Sequence, residues 1–183
     1  MKKTVLTFGI ISGVMSTIMM VGTIPFVDRI GFDKGQLIGY TAIVLSFLMV
    51  FFGIRSYRDN AGGGTITFGR GFVVGLLITL ISCAFYVVTW EILYFNLLPD
   101  FADKYAAYAV EKARTSGSTQ AEIDALILQM KNLKAMLDNP LINAAMTLLE
   151  PLPVGLLISL ISAAILRRQK VPAETLPAGA ITE

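Results

Sequence analysis

Four long stretches of this chain hold almost no charge, and that constrains its fold more than any motif does. They cover residues 5–26, 37–54, 71–98 and 141–166. Residues 5–26 and 37–54 carry no charge, the third holds only Glu91 and the fourth only Glu150. A helix needs about 20 mostly apolar residues to cross a hydrocarbon core of about 30 Å, and each stretch meets that length. Composition agrees: 55% of residues are hydrophobic and 15% are charged, against about 25% charged in soluble domains. The first stretch follows Lys2 and Lys3, as a signal peptide would, but it is too long for an h-region and no Ala-x-Ala site follows. It is read as an uncleaved helix ended by Pro25.

Between the third and fourth stretches lie residues 100–139. Phe101, Tyr105, Tyr108 and Lys112 recur at helical spacing. A turn at Thr115-Ser116-Gly117-Ser118 follows, then Thr119 with Glu122 in a capping-box pattern. Ile123, Leu126, Ile127, Met130, Leu133 and Leu137 form an apolar stripe. The expected class is therefore all-α: a polytopic membrane protein of four transmembrane helices, with an extracytoplasmic helical hairpin between the third and fourth. Residues 1–170 are expected to form one membrane domain. The tail 171–183, with Pro172, Pro177 and Gly179, is expected to be disordered and cytoplasmic.

Lysine and arginine in short loops orient such a chain. Lys2 and Lys3, then Arg55, Arg58 and Arg70, then Arg167, Arg168 and Lys170 alternate onto one side. Both termini are expected to be cytoplasmic. The loop 59–65, Asp-Asn-Ala-Gly-Gly-Gly-Thr, offers backbone amides of the kind that hold a phosphate, but lacks the P-loop lysine and spacing. Arg55, Arg58 and Arg70 are instead assigned to anionic lipid.

Lipid is as apolar as leucine, so spans associate through close approach of small residues and through hydrogen bonds. Gly9, Gly13 and Thr17 recur every four residues, as do Gly71, Gly75, Thr79 and Cys83, and Gly155, Ser159 and Ala163. Packing of the bundle and self-association are both readings of such faces.

The chain has no histidine and one cysteine, Cys83. That excludes histidine triads, histidine-ligated metals and multi-thiolate zinc. No enzyme activity, metal or cofactor is expected, and without a basic face no nucleic acid either. Charges inside a bilayer are costly, so Glu91 and Glu150 stand out. Glu91 lies 20 residues past Gly71 and Glu150 lies 17 before Arg167, roughly 30 and 25 Å along their helices. Both fall near the outer boundary. Two carboxylates at one level, with Trp90 and the break at Pro151 and Pro153, make a candidate cation, proton or ligand site. The competing reading sends both to headgroups, in a belt with Tyr86, Trp90 and Tyr94.

Arg55-Ser-Tyr57-Arg58-Asp59, then Gly63-Gly64-Thr65-Ile66-Thr67-Phe68-Gly69, with Gly71 and Gly75, form a distinctive run. Trp90-Glu91, Pro99-Asp100-Phe101, Asn139-Pro140, Thr147 and Glu150-Pro151-Leu152-Pro153-Val154-Gly155-Leu156 extend it. Together they resemble the family catalogued as domain of unknown function 4199, over about residues 1–170. The resemblance implies a bacterial inner-membrane protein of four helices and assigns no activity. Two functions follow as expectations. The first is a structural or accessory membrane component, with a membrane-protein partner or a second copy. The other is a small carrier or cation/proton pathway through Glu91 and Glu150.

Overall fold

The computed structural model describes residues 1–168, so the tail 171–183 lies outside the described residues. Every extended element is helical. α1 is Lys2–Thr23, α2 Val27–Ile30, α3 Phe32–Asn60 and α4 Phe68–Ile92. α5 is Phe101–Thr115, α6 Gln120–Leu137, α7 Pro140–Leu148 and α8 Pro151–Leu166. Four units are long and apolar enough to cross a bilayer: Lys2–Thr23, Phe32–Asn60, Phe68–Leu97 and Pro140–Leu166. The last joins α7 and α8, and the third includes a wide turn at Leu93–Leu97 closed by the Leu98 N–H on the Leu93 carbonyl at 2.8 Å.

The second span is longer than its charge-free stretch. α3 begins at Phe32 rather than near 37 and runs past Arg55 to Asn60. The lack of charge measures hydrocarbon thickness, whereas a helix continues into water wherever its backbone stays bonded. Gly31, at φ 87°, supplies the conformation needed between α2 and α3.

α1 and α8 each pack against both α3 and α4, and α3 and α4 also touch. Small residues sit at these contacts. A Cβ on Gly9 would meet Ile81, and one on Gly13 would meet Phe85 at 2.6 Å. Gly71 faces Ala163, Gly75 faces Ser159 and Ile54, and Gly155 faces Thr79 and Phe47. The small-residue faces thus pack the bundle itself. Hydroxyls bond across it: Ser12 donates to the Ser46 carbonyl at 2.8 Å and lies 2.9 Å from the Ser82 hydroxyl. Thr17 and Thr89 meet at 2.8 Å. Cys83 is buried and takes the role of a small packing residue.

α5 and α6 run antiparallel, because Lys134 near the end of α6 pairs with Asp103 near the start of α5. The α6 N-terminus carries the full capping box: the Glu122 N–H bonds the Thr119 hydroxyl, and the Glu122 carboxylate accepts from the Thr119 N–H at 2.8 Å. The aromatic face of α5 packs on the connection between the first two spans. Phe32 lies 5.8 Å from Phe101, 5.6 Å from Tyr105 and 5.0 Å from Tyr108 between ring centres. Lys104 pairs with Asp28 at 2.6 Å and Lys112 with Asp33 at 2.7 Å. Each carboxylate, chiefly through its hydrogen bond, raises the pKa of its lysine.

Candidate functional site

The Glu91 and Glu150 candidates sit where the third span meets the break in the fourth. Pro151 has no N–H for the Thr147 carbonyl. The Glu150 N–H turns back to that carbonyl at 3.3 Å, and the Leu149 N–H reaches the Met146 carbonyl at 3.1 Å. One tightened turn therefore absorbs the break. Pro151 is fully buried and Pro153 exposed, both in the first turn of α8 where proline is tolerated.

The two carboxylates have different surroundings. Glu150 accepts a hydrogen bond from the Tyr86 hydroxyl at 2.7 Å. Glu91 lies five residues past Tyr86, about 140° further round an ideal helix. It shares its azimuth with Val73, Leu80 and Ala84, all exposed on α4. Glu91 Oε1 is covered and lacks a hydrogen-bond partner among the described residues. Tyr86, whose hydroxyl reaches Glu150, and the face carrying Glu91 thus point in different directions.

Trp90 takes part in a polar knot that the sequence reading did not include. Its indole N–H donates to Asn143 Oδ1 at 2.8 Å. Asn143 is 0% exposed, donates to the Leu137 carbonyl at 2.9 Å and accepts from Thr147 at 3.2 Å. Asn139 caps α7 by accepting from the Leu141 N–H at 3.0 Å. Trp90 also meets Phe101 edge to face at 5.2 Å. One asparagine therefore ties the third span, the fourth span and the end of α6 together. A lone amide within an apolar span was the available signal.

At the other end of the bundle, the glycine-rich loop uses its amides internally. Ala61 and Gly62 donate to the Tyr57 carbonyl, Gly64 to Arg58, and Thr65 to Gly62. Ile66 and Arg168 exchange backbone bonds at 2.8 and 2.9 Å, fastening the loop to the end of α8. Few donors remain for a phosphate. Arg58 and Arg55 meet Asp59 at 2.7 and 3.7 Å, whereas Arg70, Arg167 and Arg168 are exposed.

Two openings lie among the described residues near α5. A groove of about 490 Å³ between α5 and α6 has Ala106, Ala107, Val110, Ile127 and Met130 among its lining residues. A smaller one of about 80 Å³ lies between Val27 and Leu98–Lys104. Neither includes Glu91 or Glu150.

Four apolar spans held by small-residue contacts and buried hydroxyls define a membrane-embedded helical protein. Within that class, the chain belongs to the family described as a protein of unknown function, DUF4199, whose profile matches residues 7–168. No curated protein and no solved structure matches it.

Proposed function

We propose that this chain is a non-enzymatic structural or accessory component of a bacterial inner membrane, whose bundle mounts the α5–α6 hairpin outside the cytoplasm. The observation that carries this reading is the fastening of α5 to the bundle. Phe32, Asp28 and Asp33 hold it along its length, from Phe101 to Lys112. A hairpin held at several points keeps one orientation and presents its outer side at low entropic cost. Lys2 and Lys3 open α1, Arg55 and Arg58 lie near the end of α3, Arg70 lies in the first turn of α4, and Arg167 and Arg168 follow α8, which supports cytoplasmic termini and contact with anionic lipid there.

The test is co-purification of membrane proteins with the full chain and with a variant whose residues 101–137 are replaced by a flexible linker. Loss of specific partners from the variant is expected. An unchanged set overturns the reading. Helicity and a denaturing-detergent titration report whether the shortened chain keeps its bundle.

A second reading, a cation or proton pathway, draws on Glu91, whose covered Oε1 lacks a partner. Proteoliposome flux from the full chain, abolished by Glu91→Gln, would support it. Absence of pH- or cation-dependent flux in the parent protein removes it.

A further inference from the structure

We infer that α6 is a self-association surface, through which the hairpins of two copies in one membrane pair antiparallel. Leu128 of each copy seats against Ala125 of the other, and Asp124 of each against Lys131 of the other. This rests on the reading that the hairpin is the presented element, and it names the partner.

The inward face of α6 is marked by Ile123, Met130 and Leu137, all buried or half-buried. The opposite face carries Ala121, Ala125, Leu128, Asn132 and Ala135 at steps of four, three, four and three, all exposed. That spacing is the a/d seam of a coiled coil, with one polar residue of the kind that sets register. A helix buried on one side ordinarily turns a polar face to water. Here Leu128 is 60% exposed and the flanking Met136 47%.

Charge selects the occupant and its direction. Asp124 and Lys131 flank the seam one heptad apart. Neither has an ion-pair partner among the described residues, and Asp124 takes only a neutral hydrogen bond from Gln120 at 2.8 Å. Parallel pairing would set Asp124 against Gln129 and Lys131 against Met136, leaving both charges uncompensated. Antiparallel pairing brings Asp124 to the partner's Lys131 twice, once on each side of the two-fold axis. The same register sets large against small in both directions, Leu128 on Ala125, and lets the helices approach closely. Two copies inserted with the same orientation share a two-fold along the membrane normal, and helices lying across that axis meet antiparallel. The contacts of α5 pass from Trp90 over Phe32 to Asp33, as in a hairpin laid across the end of the bundle.

The experiment uses the full chain with Cys83→Ala in native membranes. One tagged copy carries Ala125→Cys and a second, differently tagged copy carries Leu128→Cys. Oxidation is expected to trap a mixed dimer. Asp124→Lys in both copies is expected to lower trapping by roughly tenfold through like-charge contact, and Asp124→Lys with Lys131→Asp to restore it. All these α6 positions are exposed, and unchanged helicity verifies the fold. The pairing is overturned by failure to trap a dimer, by trapping indifferent to Asp124→Lys, or by preferential trapping of Asn132→Cys with itself, the parallel register. The two readings separate. If linker replacement removes partners while trapping is indifferent to Asp124→Lys, the pairing alone falls. If trapping responds to charge while linker replacement removes no other partner, the pairing stands and the accessory reading falls.

Discussion

The four-span bundle and the α5–α6 hairpin are both helical, yet different forces hold them. In the bundle, glycines admit neighbouring side chains to the backbone, and serine and threonine hydroxyls pair out of reach of water. Removing apolar surface from lipid gains nothing there, so fit decides. In the hairpin, exposed ion pairs, an aromatic cluster and a capping box carry the load. Changes of shape are therefore expected to damage the first region, and changes of charge or pH the second.

The largest effect is expected at Gly155. A side chain there would collide with Thr79 and Phe47. Gly155→Leu is expected to cost about 1–3 kcal/mol or more from overpacking, read as earlier unfolding in a denaturing-detergent titration. Gly39 is the control, because a Cβ there meets nothing within 4 Å. Gly39→Ala is expected to be neutral or to stabilise by roughly 0.5–1 kcal/mol. Equal effects at the two sites would break the claim that fit governs the bundle.

Next comes Asn143, the seam between the two regions. Asn143→Leu leaves the Trp90 N–H and the Leu137 carbonyl without their partner. A cost of about 1–3 kcal/mol is expected from the stranded polar groups. Trp90 is the only tryptophan, so its emission reports on this site alone. A shift in emission with unchanged helicity is the expected result.

How much of this was legible in sequence depends on whether a signal was local. Missing charge located all four spans, and four-residue repeats of Gly71, Gly75, Ser159 and Ala163 marked faces that do meet. The ends of α3 were not legible, because Asp33 and Arg58 are as compatible with a solvated helix as with a loop. Depth along the span singled out Glu91 and Glu150, but azimuth and register decide their neighbours. Tyr86 reaches Glu150 across 64 positions, which no local pattern encodes. Asp28 and Asp33 stand in a short charged connection whose sequence gives no sign of a partner. Their partners, Lys104 and Lys112, lie 76 and 79 positions away.

A smaller effect is expected at the α6 cap. Thr119→Ala removes the hydroxyl that receives the Glu122 N–H, at a cost of about 1 kcal/mol. The Thr119 N–H, and then its hydroxyl, hold the Glu122 carboxyl below its ordinary pKa. A depressed pKa means that this contribution is complete above the ordinary glutamate range and fades as pH falls through the lowered value. Hydrogen exchange in the first turn of α6 is expected to quicken under acid. Glu122→Gln is expected to keep the cap and abolish that pH dependence.

The smallest effect separates the two fastenings of α5. Exposed ion pairs contribute little and are screened by salt, whereas ring packing is indifferent to ionic strength. Asp28→Asn with Asp33→Asn is expected to quicken amide exchange in α5 modestly at low salt, with the difference vanishing as salt rises. Phe32→Ala is expected to loosen α5 at every salt concentration, since Phe101, Tyr105 and Tyr108 all pack on that one ring. The raised pKa values of Lys104 and Lys112 mean that their pairs persist through neutral pH and fail at the alkaline end as pH climbs through those values. The Lys112 hydrogen bond lowers the Asp33 pKa, so that pair fails at the acid end only as pH falls through the lowered value. Salt, not physiological pH, is therefore the variable that tests them. If the asparagine pair loosened α5 more than Phe32→Ala did, charge rather than packing would be what aims the hairpin.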